Sequence, residues 1–171
     1  MYDRKCFQRI SVKGFLGSYG IKVGQYYNGT DEYTYYRPSV NTNIDFTICD
    51  AEGNATEEQT GTWNEVLICQ DILNDPSYNN KYNAMLWGNG YPNHIINNEV
   101  MDGRLLIVSH SYGRPLTAYL ALNYHEVYQV DPQKGRYNGN FLDLIDEYQP
   151  DVVLFLVEFE GDLIGEYNTE R

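Results

Sequence analysis

The pattern of apolar and polar positions is most regular in the last third of the chain. Three apolar runs of strand length are separated by two helical segments there, with strands at 105–109, 126–130 and 152–157 and helices after Pro115 and over Phe141–Tyr148. The first run is unbroken and rich in β-branched residues, which is typical of a strand buried on both faces. Strands that alternate with helices favour βαβ units, so the sequence predicts an α/β layer with parallel strands.

The first hundred residues give weaker signals and are predicted to be rich in loops and short strands. Asn43–Cys49 alternates apolar and polar positions, which indicates a half-buried strand. The nearest apolar residues for its hairpin partner are Trp63, Val66 and Leu67. Elsewhere the sequence predicts a short strand at Ile10–Val12 and loops at Gly14–Gly20, Asp75–Asn83 and Gly88–Pro92.

Length and charge limit the class of protein. A chain of 171 residues fits a single domain, which we place at 1–171. Its formal charge of −12 argues against nucleic acid or an anionic membrane surface as a partner, because long-range repulsion opposes both encounters. No stretch has the length and apolar character of a membrane span or a signal peptide.

Cysteine and tyrosine usage adds two points. The three cysteines are widely spaced and include no CxxC pair, so the sequence predicts core cysteines, no metal and no cofactor. Tyrosine occurs 17 times, and its amphipathic rings can stack on sugars. The same residues also suit strands, and this structural interpretation is the simpler one.

Ser111 is the candidate nucleophile. It lies in the polar turn Ser109–Gly113, between the first predicted strand and the helix that Pro115 opens. Backbone N–H groups and the positive end of a helix dipole can stabilise an oxyanion at such a position, although serine there also serves as a helix cap. The predicted oxyanion and crevice residues are Gly88, Asn89, Tyr112 and Gly113.

A serine nucleophile needs a general base. The strand that begins at His125 runs parallel to the one before Ser111, so that histidine is expected at the opposite edge of the sheet. His110 adjoins Ser111, and neighbouring side chains on an extended turn point apart. His94, in a predicted loop, is the remaining local candidate.

Acidic residues also follow the predicted strands. Asp131 and Glu158 are expected at the same sheet edge as Ser111, because each comes at or just after the end of a strand. Pro132 follows Asp131 directly, which favours a turn-forming role for that aspartate.

The ordered series of motifs resembles the bacterial DHHW family, relatives of the SGNH hydrolases and the alginate O-acetyltransferases. Ser109–Gly113, with the helix and apolar strands that follow it, is similar to the family's Lys-Asp-Ser-Tyr/Phe turn and its surroundings. Tyr82–Asn89 is similar to a Tyr-x-x-Phe-Leu-x-Gly-Asn/Asp segment, and Phe15–Ser18 to a Phe-x-Gly-Ser loop. The family's Lys-Asp pair is replaced by Ser109-His110.

The resemblance implies a partial three-layer SGNH/flavodoxin-like sandwich with a parallel sheet. It further implies a serine esterase or O-acyltransferase with Ser111 as nucleophile, a carbohydrate or acyl-ester substrate, and a location at the cell surface or outside the cell. The family's catalytic Asp and His belong to an Asp-His-His-Trp segment that precedes the Phe-x-Gly-Ser loop, and no residue here matches that pair. We therefore expect this chain to lack an N-terminal segment of the family domain.

Two other interpretations stay open. The domain could be a non-catalytic carbohydrate-binding or scaffold module of the same fold, in which tyrosines provide recognition. A flavodoxin-like nucleotide or flavin binder has the same alternation of strands and helices, but the sequence contains no glycine-rich phosphate loop.

Overall fold

The computed structural model of the protein describes residues 4–23, 29–134 and 142–156. The predicted features at Phe141, Val157 and Glu158 lie outside these ranges. The strands are β1 (Phe7–Phe15), β2 (Asp31–Pro38), β3 (Ile44–Cys49), β4 (Ala55–Gly61), β5 (Asn93–Asn97), β6 (Arg104–Ser109), β7 (Glu126–Val130) and β8 (Val152–Leu156).

The helices are short, and several are single 3₁₀ turns. The α-helices are α1 (Gly17–Val23), α2 (Trp63–Val66), α3 (Gln70–Asn74), α4 (Arg114–Leu120) and α5 (Leu142–Tyr148). The 3₁₀ segments are Arg4–Cys6, Lys81–Ala84, Leu86–Gly88 and Ser111–Gly113. None of the helices within the described ranges is long and apolar enough to cross a membrane.

A six-stranded mixed sheet forms the centre of the fold, with strand order β4-β3-β5-β7-β6-β8. β7, β6 and β8 are parallel, with Leu105 paired to Val127 on one side and to Val152 on the other. This confirms the predicted parallel layer. The remaining pairs are antiparallel, because β3 and β4 form a hairpin and β5 enters between β3 and β7.

The central strand β6 is buried on both faces, as its apolar run predicts. Leu105 and Ile107 point into the larger core, whereas Leu106 and Val108 point into a smaller core beneath α5. All four side chains are at most 1% exposed. Helices therefore cover both faces of the parallel part, which gives the expected partial three-layer sandwich.

The larger core lies between the sheet and the layer formed by α2, α4 and the two-stranded sheet of β1 and β2. Trp63 is its largest fully buried side chain. Its indole Nε1–H donates to the carbonyl oxygen of Ala118 at 2.6 Å, and its ring stacks on Tyr119 with centroids 5.3 Å apart. This residue joins α2 to α4, the helix that follows Ser111.

The prediction of a loop at Gly14–Gly20 is wrong for its second half, because α1 begins at Gly17. The glycines act at the junction rather than breaking the helix. Gly14 has φ +91° at an irregularity in the pairing of β1, and Gly17 has φ +68° at the strand-to-helix change. Only glycine adopts such angles without strain. The glycine content of this segment therefore reflects the junction between β1 and α1, and it was misleading as evidence for a loop.

The hairpin partner of β3 is also different from the predicted one. β4 contains no large apolar residue and is mostly exposed, which suits an edge strand. The apolar candidates come after it, because Trp63 opens α2. The Glu65 carboxylate fixes that start by accepting hydrogen bonds from the N–H (2.8 Å) and hydroxyl (2.6 Å) of Thr62.

The cysteines are free in the structure. Cys69 is buried, as predicted, whereas Cys6 and Cys49 are half-buried.

Trp63→Ala is expected to lower the free energy of unfolding by about 3–5 kcal/mol, because it leaves a cavity and an unpaired carbonyl in the larger core. Urea denaturation measures the effect. Met101→Ala is the control, since Met101 is 93% exposed and its truncation should change stability by less than about 0.5 kcal/mol. Equal losses in the two variants would show that Trp63 does not hold α2 against α4.

Candidate active site

Ser111 lies just beyond the carboxyl end of β6, where the chain leaves the sheet. β6 ends at Ser109, His110 stays extended (φ −70°, ψ −178°), and Ser111–Gly113 forms one 3₁₀ turn before α4. Pro115 lies in the first turn of α4, as predicted. Ser111 is exposed, whereas the strand before it is buried. The fold therefore presents this serine at the edge of the sheet.

Hydrogen bonds fix the backbone of the turn. The Tyr82 hydroxyl donates to the carbonyl oxygen of Ser111 at 3.1 Å, and the Tyr112 hydroxyl donates to that of Leu156 at 3.1 Å. The N–H of Gly113 donates to the carbonyl oxygen of His110 at 3.0 Å, so this candidate oxyanion donor is used within the turn. Tyr82 and Tyr112 thus tie the serine turn to two other elements of the fold.

Gly113 allows the turn to pack directly against the end of β6. A Cβ atom at this position would lie 2.2 Å from the Ser109 hydroxyl and 2.6 Å from its Cβ. Ser109 is fully buried and cannot move away. Any residue larger than glycine would therefore displace the turn that carries Ser111.

A buried polar chain supports the same strand end from the neighbouring strands. Asn89 donates to the Asn93 side-chain oxygen at 3.2 Å, and Asn93 donates to that of Gln129 at 2.7 Å. Gln129 in turn donates weakly to the hydroxyl and carbonyl oxygens of Ser109, both at 3.4 Å. Asn93, Gln129 and Ser109 are each at most 2% exposed, so these bonds satisfy groups that water does not reach.

Ser111 opens into a cavity of about 370 Å³. The segments Phe15–Ser18 and Tyr82–Asn83, both of which carry the family resemblance, form two of its walls. The lining residues are Phe15, Leu16, Gly17, Ser18, Tyr19, Asn80, Tyr82, Asn83, Ser111 and Tyr112. This set contains no histidine, aspartate or glutamate, so no described residue that lines the cavity is an obvious base for Ser111.

Gly88 and Asn89 lie next to this cavity and not in its lining. Gly88 has φ +66° and backs onto Asn83, whose side chain does line the cavity. The Asn89 amide donates to the carbonyl oxygens of Tyr91 (3.2 Å) and Pro92 (3.3 Å) as well as to Asn93. These bonds use the amide within its own loop, so the structure gives Asn89 a supporting position rather than one that faces Ser111.

Arg114 connects that loop to the wall of the cavity. Its Nε donates to the carbonyl oxygen of Asn89 at 3.0 Å, and its terminal nitrogen donates to the Asn83 side-chain oxygen at 3.2 Å. Arg114 is 5% exposed, and burial lowers the pKa of its guanidinium. Two hydrogen bonds compensate part of the cost of this buried charge.

His94 is in β5 and not in the predicted loop. Its Nε2–H donates to the Glu126 carboxylate at 2.9 Å, and its ring stacks on Tyr128 with centroids 4.0 Å apart. Tyr128 stacks in turn on Tyr148 of α5, at 3.6 Å. His94 lines a separate cavity of about 220 Å³, so the structure does not bring this candidate base to Ser111.

His125 lies at the opposite edge of the sheet, as predicted. Its Nδ1 faces the carbonyl oxygens of Val100 (2.8 Å) and Asn97 (3.2 Å), at the amino end of β7. Since β6 and β7 are parallel, the strands separate this ring from Ser111. The topology therefore excludes a Ser111–His125 pair within the chain.

The structure reveals an imidazole–carboxylate pair that the sequence analysis set aside. His110 Nδ1 lies 3.4 Å from the Asp131 carboxylate, whose side chain is only 7% exposed. The two residues directly follow β6 and β7, so neighbouring parallel strands bring them to one edge. The position of each residue directly after a predicted parallel strand was the sequence feature that could have revealed this pair. Asp131 also accepts from the N–H of Gln133 at 3.1 Å, so its turn-forming role is present as well.

The architecture is similar to that of solved bacterial proteins. A DHHW family protein from Eubacterium siraeum is similar with a TM-score of 0.71 and 19% sequence identity, over 91% of this chain and 49% of that chain. Bacillus cereus PatB1, solved with a sulfonyl adduct, is similar with a TM-score of 0.66 and 15% identity, over 98% of this chain and 52% of that chain.

A second structure of Bacillus cereus PatB1 gives a TM-score of 0.63 at 16% identity, over 95% of this chain and 53% of that chain. The chain therefore spans about half the length of these proteins, and likeness at such identities shows the fold. No protein-family model and no curated protein matches the sequence. The DHHW resemblance that the motifs indicate is thus confirmed at the level of structure.

Gly113→Ala is expected to destabilise the protein by about 1–3 kcal/mol, because the added methyl group overlaps the buried Ser109 side chain. Gly90→Ala is the matched control. Its Cβ would meet the end of the flexible Lys134 side chain at 2.7 Å, which can swing aside. Thermal unfolding of both variants measures the difference, and an unchanged Gly113→Ala protein would show that the turn does not depend on this contact.

A second prediction concerns pH. Burial lowers the pKa of His94 despite the opposing effect of Glu126, so this ring takes up a proton less readily in the folded protein than in the unfolded chain. The unfolded chain binds a proton below about pH 6.5, and stability should fall as pH drops from 7 to 5.5. His94→Gln removes this titration and should flatten the dependence, measured by urea unfolding, whereas His125→Gln should retain it. Identical slopes in the wild type and His94→Gln would contradict the assignment.

Proposed function

We propose that this chain is an SGNH-like serine esterase or O-acetyltransferase domain, with Ser111 as its nucleophile. Its substrate is an acyl ester of a carbohydrate or of another cell-envelope polymer, at the cell surface or outside the cell. The observation that supports this best is the position of Ser111. It is an exposed serine on a rigid turn after the central parallel strand, open to a cavity large enough for a small ligand.

The proposed chemistry is acyl transfer in two steps. The Ser111 hydroxyl oxygen attacks the carbonyl carbon of the ester, its proton passes to a base, and the alcohol leaves with a proton to give an acyl-serine. Water then attacks the acyl-serine in an esterase, or a sugar hydroxyl does so in a transferase. Either attack releases the Ser111 hydroxyl and completes the cycle.

The base in this proposal comes from outside the described lining of the cavity. The described residues that line the cavity with Ser111 include no histidine, aspartate or glutamate, and a serine without a base is a poor nucleophile. In the DHHW resemblance, the Asp–His pair belongs to a segment that precedes the stretch corresponding to Phe15–Ser18. We therefore propose that the active enzyme combines this chain with a segment that carries such a pair.

The alternative is a non-catalytic carbohydrate-binding module of the same fold. The neutral lining of the cavity favours it, because carbohydrate binding needs aromatic and hydrogen-bonding groups but no base. The two functions differ in whether Ser111 reacts. Bacillus cereus PatB1, which shares this fold, has been solved with a sulfonyl adduct, which supports probing the serine here with an electrophile.

A fluorophosphonate probe is expected to label Ser111, slowly for the chain alone and faster when imidazole supplies an external base. Mass spectrometry of the labelled peptide measures the rate and the site. Ser111→Ala should abolish labelling. Ser39→Ala is the matched control, because Ser39 is exposed like Ser111 but lines a separate cavity, and this variant should be labelled like the wild type.

The same preparation should hydrolyse a simple acetyl ester slowly or not at all, since removal of triad members costs orders of magnitude in rate. Absence of labelling at high probe and imidazole concentrations would reject the nucleophile and favour the binding module. Rapid hydrolysis that His94→Ala eliminates would instead show that the base lies within the chain.

A further inference from the structure

The polar groups around Ser111 fall into two sets, and the first set holds the protein together. Tyr82 and Tyr112 use their hydroxyls to anchor the serine turn and β8. Asn83 accepts from Arg114 at 3.2 Å and donates to the Tyr78 hydroxyl at 2.9 Å. These three side chains have partners within the protein, so they are poorly placed to exchange them for a ligand.

The second set makes no side-chain hydrogen bond to any described residue. It consists of Ser18, Tyr19 and Asn80, which line the cavity together with Ser111. Tyr19 is 79% exposed and stands on α1, with Lys22 Nζ placed 5.4 Å from its ring centroid. An exposed aromatic ring, a hydroxyl and an amide are thus available beside the serine. This combination suits a ring that carries hydroxyl groups and has an apolar face.

The charge of the cavity narrows the choice of ligand. The ten lining residues within the described part of the chain are all uncharged types, and burial raises the pKa of Tyr82 to about 12, so its phenol stays neutral at physiological pH. Two buried cations adjoin the lining, and both are bonded within the protein. Arg114 donates to the Asn83 side chain, and Lys81 donates to the carbonyl oxygens of Ile72 and Asp75. Among the described lining residues an anionic polymer would meet no cation, and the attraction of the exposed Lys22 beside Tyr19 is outweighed by repulsion from a chain of net charge −12.

We infer that this cavity is a subsite for a neutral sugar unit, which stacks on Tyr19, hydrogen-bonds to Ser18 and Asn80, and places its ester or hydroxyl at Ser111. The inference rests on the proposed function and adds a substrate class, a neutral glycan rather than an anionic one. The volume of about 370 Å³ is near the lower end of the range for ligand sites, roughly 300–1,000 Å³, and suits a single sugar unit.

Binding is tested by calorimetry with chitohexaose as the neutral probe and hexagalacturonate as the anionic probe of matched length, using the 171-residue chain. The neutral probe should bind, and Tyr19→Ala should weaken it about five- to tenfold, as loss of a stacking contact predicts. Tyr19→Phe retains the ring and should bind nearly as well as the wild type. Asn80→Ala should weaken binding by removing a donor.

Tyr91→Ala is the matched control, because Tyr91 is 40% exposed and lies outside the cavity lining. It should bind the neutral probe like the wild type, and circular dichroism should show that every variant is folded. No binding of chitohexaose, tighter binding of hexagalacturonate, or equal effects of Tyr19→Ala and Tyr91→Ala would each overturn the inference.

These outcomes are separate from those of the nucleophile test. Binding of chitohexaose that depends on Tyr19, without fluorophosphonate labelling of Ser111, would retain the subsite and reject the acyl-transfer function. Labelling of Ser111 without such binding would retain the nucleophile and reject the neutral-sugar subsite.

Discussion

Burial of β6 on both faces is the constraint on which the rest of the fold depends. Leu105 and Ile107 are buried by a layer on one face of the sheet, and Leu106 and Val108 are buried by a layer on the other face. The helix α4, which belongs to the first of these layers, begins five residues after β6 ends, so the chain leaves the sheet abruptly at Ser109. The buried Gln129 and the absent side chain of Gly113 make that possible, since one partners Ser109 and the other lets the turn close over it. The exposed position of Ser111 follows from this closure.

The sequence predicted the parallel layer well because its signals are local. Apolar runs of strand length define β6, β7 and β8, and Pro115 marks the start of α4. The N-terminal half was harder, because its elements depend on tertiary contacts. Nothing in the polar composition of β4 distinguishes an edge strand from a loop until β3 is beside it. The glycines before α1 were misread for the same reason, since their role lies in positive φ angles at the junction.

In the candidate site, too, the features set by local sequence were predictable and those set by tertiary contacts were not. A serine between an apolar strand and a proline-initiated helix is visible in the sequence, and the family motifs pointed to two walls of its cavity. The hydrogen-bonding and stacking partners of each side chain are not visible in the sequence. The sequence could not reveal that the Asn89 amide is used within its own loop, or that His94 belongs to a strand whose ring stack reaches α5. Parallel pairing of β6 and β7 was predicted, and applying it residue by residue would have found His110 beside Asp131.

The two edges of the main sheet differ in a way that matters for self-association. β4 carries Glu57 and Glu58 on a mostly exposed strand, and such charges discourage another strand from pairing there. β8 pairs with β6 on one side, and among the described residues no strand covers its other side. It exposes 43% of Val152 and 46% of Phe155. The net charge of −12 opposes the approach of a second molecule to this edge, and that repulsion weakens as salt screens the charge.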